Sequence, residues 1–234
     1  MTEIYFVRHG QASFGLDNYD KLSLLGLEQA RLLGQYFRKL DLKFDAAYAG
    51  ALRRHKETAG AVLEAMGKNS RNGLVIDPDF NELDSSDVTL SRLCHVINSD
   101  PEIKRELGKI HTDPSAIRRV FEIADETGMD PADEAIRLKR AEEFAERVKN
   151  GIRTIVKRHG PGEKVVVFSS GGPMAVTLRQ VLKISRERTI RLGREIKNTA
   201  YTIFRHDQER LGLVMFNNIA HLEVYNDPDL LTYI

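Results

Sequence analysis

A chain of 234 residues has room for one large domain or two small ones, and its 41% apolar content can bury a sizeable core. Lys and Arg total 35 against 34 acidic residues, a net charge of +1, which removes the long-range attraction of a dedicated nucleic-acid or anionic-membrane binder but allows a local basic pocket. One Cys excludes an internal disulfide framework and a Cys-rich zinc site; Cys94, among Leu93, Val96 and Ile97, reads as a packed small hydrophobe.

Ile4 to Val7 is a short β-rich run that stops at Arg8-His9-Gly10. Met1 to Val7 carries no cationic leader or small-residue cleavage site, and no apolar run approaches the roughly 20 residues that span a bilayer, so a cytoplasmic protein is expected. From Leu24 a helix runs to Leu40, with Leu25, Ala30, Leu32, Leu33, Tyr36, Phe37 and Leu40 at helical spacing. Asp45 to Ala49 is a second strand, followed after Gly50 by a helix to about Met66, and Leu74 to Ile76 is a third strand. The stretch from about Asp84 to Ala135 is helical in composition and reads as an insertion over one end of the sheet. A long helix from Pro131 to Arg158 returns the chain to the core. Val165-Val166-Val167-Phe168 is continuously apolar, as expected of a central strand covered on both faces. Ser169 to Gly172 is the turn after it, with Pro173 at the first position of a helix ending at Leu182. Tyr201 to Arg205 and Leu213 to Asn217 form a hairpin around His206-Asp207-Gln208. Strands alternating with helices predict an α/β three-layer sandwich with a mainly parallel sheet, one domain over residues 1–234.

Three strand ends carry unusual polar groups: Arg8-His9-Gly10, Arg53-Arg54-His55 and Ser169-Ser170-Gly171-Gly172. Open α/β sheets bind ligands at the carboxyl ends of their strands, so these groups can converge. Two guanidinium groups, an imidazole and a helix N-terminus are suitable parts for a phosphoryl site.

Phe6-Val7-Arg8-His9-Gly10-Gln11 resembles the signature of the histidine phosphatase superfamily, the phosphoglycerate-mutase-like fold. Leu22 to Ala30 is similar to the family's leucine, glycine and glutamine-alanine segment. Tyr48 to Arg54 with Glu57-Thr58-Ala59 resembles its second arginine motif, with Arg54 in the arginine position. Asn81-Glu82-Leu83 resembles the acidic motif, and Lys197 to Ala200 a later core segment. The resemblance covers nearly the whole chain. It implies that His9 attacks phosphorus to give a phosphohistidine, while its other ring nitrogen is held by an acceptor. Arg8 and Arg54 would clamp the phosphoryl oxygens, with Gln11, Ser170 and Gly171 completing the substrate contacts. Glu82 would be the general acid, with Asp79 and Asp84 as rivals should the register slip.

One position departs from the family pattern. A second histidine usually follows the central strand, and here Ser170 stands in its place. A hydroxyl donates one hydrogen bond and carries no positive charge, so a slow enzyme is expected. The leading expectation is a phosphomonoester hydrolase; a phosphoglycerate-type mutase and a catalytically silent phosphoester-binding module are the alternatives. The expected partner is a small phosphorylated substrate, with no nucleic acid or membrane. His55, His95, His111, His159 and His206 form no metal-ligand spacing, and no metal or cofactor is expected. His221 reads as a structural hydrogen-bonding group, and Arg118-Arg119 and Lys104-Arg105 as a solvated helix face.

Overall fold

Six strands form one mixed sheet in a computed structural model that describes residues 1–13, 20–67, 73–83, 101–107, 119, 131–207 and 210–233. The chain divides into two compact units, Met1–Glu82 with Ala145–Ile234, and Leu83–Phe144. The first unit holds the whole sheet. Its strands are β1 (Thr2–Arg8), β2 (Ala46–Ala49), β3 (Leu74–Ile76), β4 (Lys164–Ser169), β5 (Tyr201–Asp207) and β6 (Arg210–Asn218). In space they run β3-β2-β4-β1-β5-β6. The first four are mutually parallel, while β5 lies antiparallel to both β1 and β6. The apolar run Val165–Phe168 is therefore central, as its composition predicts.

The two-residue period of the strands sorts side chains onto two covered faces. Tyr5, Val7, Ala47, Ala49, Val166 and Phe168 pack with α1 (Leu24–Lys39) and α2 (Arg53–Ala65), through Leu33, Phe37, Ala59 and Val62. Ile4, Phe6, Ala46, Tyr48, Val165 and Val167 pack on the opposite face. There they meet Ile152 and Ile155 of the long helix α4 (Pro131–Arg158), and Met174 and Leu178 of α5 (Gly171–Leu182). Ring edges of Tyr5, Phe37, Phe44 and Tyr201 lock the first layer. Helix α1 starts at Ser23, whose hydroxyl accepts from the Gly26 amide at 2.9 Å.

Several boundaries differ from the sequence reading. Helix α5 begins at Gly171, so Pro173 is its third residue, not its first. The ring is tolerated because amides of a helix's first turn have no partner within the helix. Strand β6 starts at Arg210, and His206 and Asp207 belong to β5, because ladder pairs continue beyond the apolar run to Asp207↔Arg210. A further helix, α6 (Arg186–Glu195), escaped the reading because its sequence is almost wholly polar; Ser185 caps it. The short α7 (Ala220–Glu223) completes this unit.

In the second unit α3 (Pro101–Leu107) is described. Most of the expected insertion, residues 84–100, 108–118 and 120–130, lies outside the described residues, and with it Asp84, Cys94, His95, His111 and Arg118. Arg119 pairs with the buried Glu106 at 2.6 Å, and Arg105 with Glu102 at 3.3 Å. These two arginines are thus held in ion pairs within the unit.

Candidate active site

Parallel pairing brings the carboxyl ends of three strands to one sheet edge. Arg8 is in register with Ser169, and Ala49 with Phe168. The next residues, His9, Ser170 and Gly50, are therefore neighbours although far apart in sequence. His9 donates its amide to the Ser169 carbonyl at 2.8 Å, and Gly50 to that of Phe168 at 3.0 Å. Because β5 runs the other way, the segment before it, Asn198–Ala200, reaches the same edge. Asn198 Nδ2 donates to the His9 carbonyl at 3.0 Å and the Ala200 carbonyl accepts from Arg8 N.

The His9 side chain is buried, and its Nδ1 lies 2.7 Å from the Gly10 carbonyl. A carbonyl only accepts, so Nδ1 carries the proton and Nε2 keeps its lone pair. Burial foremost, then the charges of Arg8 and Arg54, hold its pKa well below the ordinary histidine value; the Gly10 carbonyl acts the other way. His9 is thus an unprotonated imidazole with Nε2 available. Its loop is fixed by close backbone approach: a Cβ on Gly10 would lie 2.3 Å from the Gly26 carbonyl oxygen, and one on Gly26 2.2 Å from that of Gln11. Thr58 Oγ1 accepts the Gly10 amide at 3.1 Å.

Arg54 is buried on the first turn of α2 and its Nη1 donates to Asp20 at 2.8 Å. Asp20 also accepts the Arg53 amide at 2.8 Å and so caps α2, whose N-cap residue Leu52 has no suitable side chain. Arg8 directs Nη1 to the Ile196 carbonyl and Nη2 to that of Tyr233, the latter at 2.6 Å. Its Nε faces Gly171, where a Cβ would lie 3.9 Å away. Gln11 accepts the Ser23 hydroxyl at 2.8 Å through Oε1 and its backbone N–H donates to Gln29 Oε1 at 2.9 Å, so it is tied to the start of α1.

Glu82 lies at the N-terminus of α5. Its Oε2 accepts the Gly172 amide at 3.1 Å, and a Cβ on Gly172 would lie 2.0 Å from Oε1, so glycine is what admits the carboxylate. The loop before it is held at several points. Ser169 Oγ donates to the Phe80 carbonyl at 2.6 Å, Ala51 N to Asn81 Oδ1 at 2.6 Å, and Arg147 to the carbonyls of Pro78, Asn81 and Glu82. Asp79 packs its Cβ near Gly151 of α4 instead. Burial, with Asp77 beside it, raises its pKa against the opposing effect of Arg147.

Two residues that touch these groups were given no role by the sequence reading. Arg147 holds the Glu82 loop, a role no local pattern on a long charged helix discloses. His55 was set aside with the other histidines, yet it is fully buried, with its ring stacked at 30° on His9, centroids 5.8 Å apart, and its Nε2 2.7 Å from Ser170 Oγ. A signal was present: His55 shares a helical face with Thr58, Ala59 and Val62, all buried. His221 is structural as read, its Nε2 lying 2.8 Å from Thr199 Oγ1, while His159 bridges Tyr48 and Glu163. Among the described residues no group of three or more His, Cys, Asp or Glu could hold a metal ion, and no helix is long and apolar enough to cross a membrane.

The family described as the histidine phosphatase superfamily (branch 1) matches residues 4–102 and 102–219. A 2,3-bisphosphoglycerate-dependent phosphoglycerate mutase of Parvibaculum lavamentivorans is 28% identical over 197 residues, covering 81% of this chain and 84% of that protein. The enzyme of the same name from Rhizobium meliloti is 26% identical over 196 residues, covering 81% and 84%. In structure, a phosphoglycerate mutase from Bacillus anthracis superposes with a TM-score of 0.64 at 16% identity, over 97% of both chains. A phosphoserine phosphatase of Entamoeba histolytica gives 0.60 at 19% identity, over 95% of this chain and all of the other. These superpositions bear out the phosphoglycerate-mutase-like α/β architecture expected from the sequence.

Proposed function

This chain belongs to the histidine phosphatase superfamily, and we propose that it is a phosphomonoester hydrolase in which His9 carries the phosphoryl group. The observation that carries this reading is the 2.7 Å contact between His9 Nδ1 and the Gly10 carbonyl, which leaves Nε2 as the nucleophile. Nε2 attacks phosphorus and the ester P–O bond breaks. Glu82, in its acid form, protonates the departing oxygen. Its carboxylate then takes a proton from water, which attacks the phosphohistidine; the P–N bond breaks and inorganic phosphate leaves. Arg8 and Arg54 stabilise charge on the transferring group, with the Ser170 hydroxyl and the Gly171 amide as neutral donors and Gln11 at the rim of the substrate site. With a hydroxyl where a second imidazole is usual, turnover is slow.

Acid-labile, base-stable phosphate on the protein during turnover is the expected signature. His9→Ala abolishes both this adduct and hydrolysis. Undiminished hydrolysis by that variant would sink the mechanism. Phosphoserine and 3-phosphoglycerate head the substrate screen, since related folds have been crystallised with phosphoserine and 3-phosphoglyceric acid. A second reading is favoured by the names of the curated relatives, which are phosphoglycerate mutases. A mutase retains the phosphohistidine and returns the phosphoryl group to another hydroxyl. Phosphoglycerate isomerisation faster than phosphate release selects that reading.

A further inference from the structure

His55 takes no part in nucleophilic attack or leaving-group protonation, yet it is fully buried against His9. Its two ring nitrogens have very different surroundings. Nε2 lies 2.7 Å from Ser170 Oγ. Nδ1 is buried with no hydrogen-bond partner, and it faces Gly50, where a Cβ would lie only 2.2 Å from it. A proton on Nδ1 would point at a methylene group and find no acceptor. The Phe80 carbonyl and Asn81 Oδ1, which would lie 2.9 and 3.0 Å from the same Cβ, accept from Ser169 Oγ and Ala51 N, and neither is hydrogen-bonded to Nδ1. The ring proton therefore sits on Nε2, which donates to Ser170 Oγ. Burial and the charge of Arg54 push the pKa of His55 down to about 3, so the ring stays neutral near pH 7.

Ser170 is correspondingly unusual. It occupies the N-cap position of α5, where serine ordinarily accepts from the first helical turn, but its side chain makes no cap bond. Its oxygen is turned to His55 and accepts there, so its own proton is free to point elsewhere. Its backbone follows Ser169, the β4 residue in register with Arg8, so it stands beside His9 at the sheet edge.

We propose that His55 is a positioning residue: its Nε2–H holds Ser170 Oγ as an acceptor, so that the Ser170 hydroxyl proton is presented to a phosphoryl oxygen at His9. This rests on the phosphoryl-transfer reading of His9. It makes the donor after the central strand a two-residue device, an imidazole on α2 acting through a hydroxyl on β4's exit. Glycine at position 50 belongs to the device, because any side chain there displaces the ring.

The tautomer is tested first, by 15N NMR of histidine-labelled protein without substrate. A pyridine-type Nδ1 and a pyrrole-type Nε2 are expected for His55 between pH 6 and 8; a protonated Nδ1 overturns the proposal. Kinetics test the consequence. His55→Leu, which removes the donor, lowers kcat by about a hundredfold with KM little changed. His55→Gln, whose amide nitrogen reaches close to the Nε2 position, retains kcat to within about tenfold. In a Ser170→Ala background, His55→Leu adds less than about threefold, because its action passes through the missing hydroxyl. Wild-type kcat in folded His55→Leu protein, or the full loss in the Ser170→Ala background, overturns it. Should His55→Leu not fold, His55→Asn, too short to reach Ser170, replaces it under the same expectations. A wild-type protein that neither hydrolyses phosphomonoesters nor forms phosphohistidine refutes the phosphatase reading instead, and the NMR tautomer still decides the His55–Ser170 contact.

Discussion

Replacing Gly172 by alanine separates catalysis from stability at a single atom. The added Cβ would lie 2.0 Å from Glu82 Oε1, 2.9 Å from Cδ and 3.1 Å from Oε2. Carbon–oxygen contacts below 3.0 Å are essentially never seen, so the carboxylate must retreat by about 1 Å and its bond to the Gly172 amide lengthens. The side chain is flexible and can move at little cost to folding. Gly172 precedes Pro173, whose ring disfavours the helical region for a preceding residue that carries a Cβ; this offsets alanine's better helix propensity, and stability changes by no more than about 1 kcal/mol. Proton transfer has no such tolerance: a displacement near 1 Å costs on the order of a hundredfold in rate. The expected kcat/KM for an alkyl phosphate, which reports phosphoryl transfer to His9 and not the later attack of water, is accordingly about a hundredfold lower. The kcat/KM for an aryl phosphate such as p-nitrophenyl phosphate, whose leaving group needs little protonation, falls by less than about tenfold. Steady-state kinetics on both substrates, alongside a urea melt, give the answer. Equal losses in kcat/KM on the two substrates, or no loss on the alkyl ester, would refute Glu82 as the acid held by this glycine.

Three further outcomes are expected. Arg54→Lys keeps the charge but loses the planar fork and its geometry toward Asp20, lowering kcat/KM by about a hundredfold in the same assays; an unchanged value removes Arg54 from the site. Gly26→Ala drives a Cβ to 2.2 Å from the Gln11 carbonyl oxygen, where only backbone can move, and lowers unfolding free energy by about 1–3 kcal/mol; a wild-type urea midpoint contradicts this. Burial holds His55 and His221 down to about 3 and His9 well below the ordinary value of 6.5. Below pH 6.5 the unfolded chain takes up protons that these folded histidines refuse, so stability falls with falling pH by roughly 1.4 kcal/mol per pH unit for each. His221→Gln should reduce the slope between pH 6 and 4 by one proton's worth, and an identical slope would show that His221 is not the group responsible.

What was legible in the sequence is what local pattern controls. Apolar periodicity disclosed α1, and the unbroken run Val165–Phe168 disclosed the central strand, because each depends on neighbours a few residues away. The string Arg8-His9-Gly10 and the later motif segments sufficed to name the family. Even the placement of Arg8, His9 and Ser170 on adjoining strand exits follows from an α/β pattern, since parallel strands end at one edge. Which side chains meet there was decided by tertiary structure. His55 and Ser170 are 115 positions apart, Glu82 and Gly172 are 90 apart, and nothing local to any of them encodes the distance. The sequence reading assigned His55 no role for that reason. Its burial against His9 and its contact with Ser170 come from a pocket shaped by Gly50, Ser170 and His9 together. The protonation state of His9 is of the same kind: the imidazole and the adjoining Gly10 carbonyl are in the sequence, but the burial that keeps the ring neutral exists only once β1, β4 and α2 have packed around it.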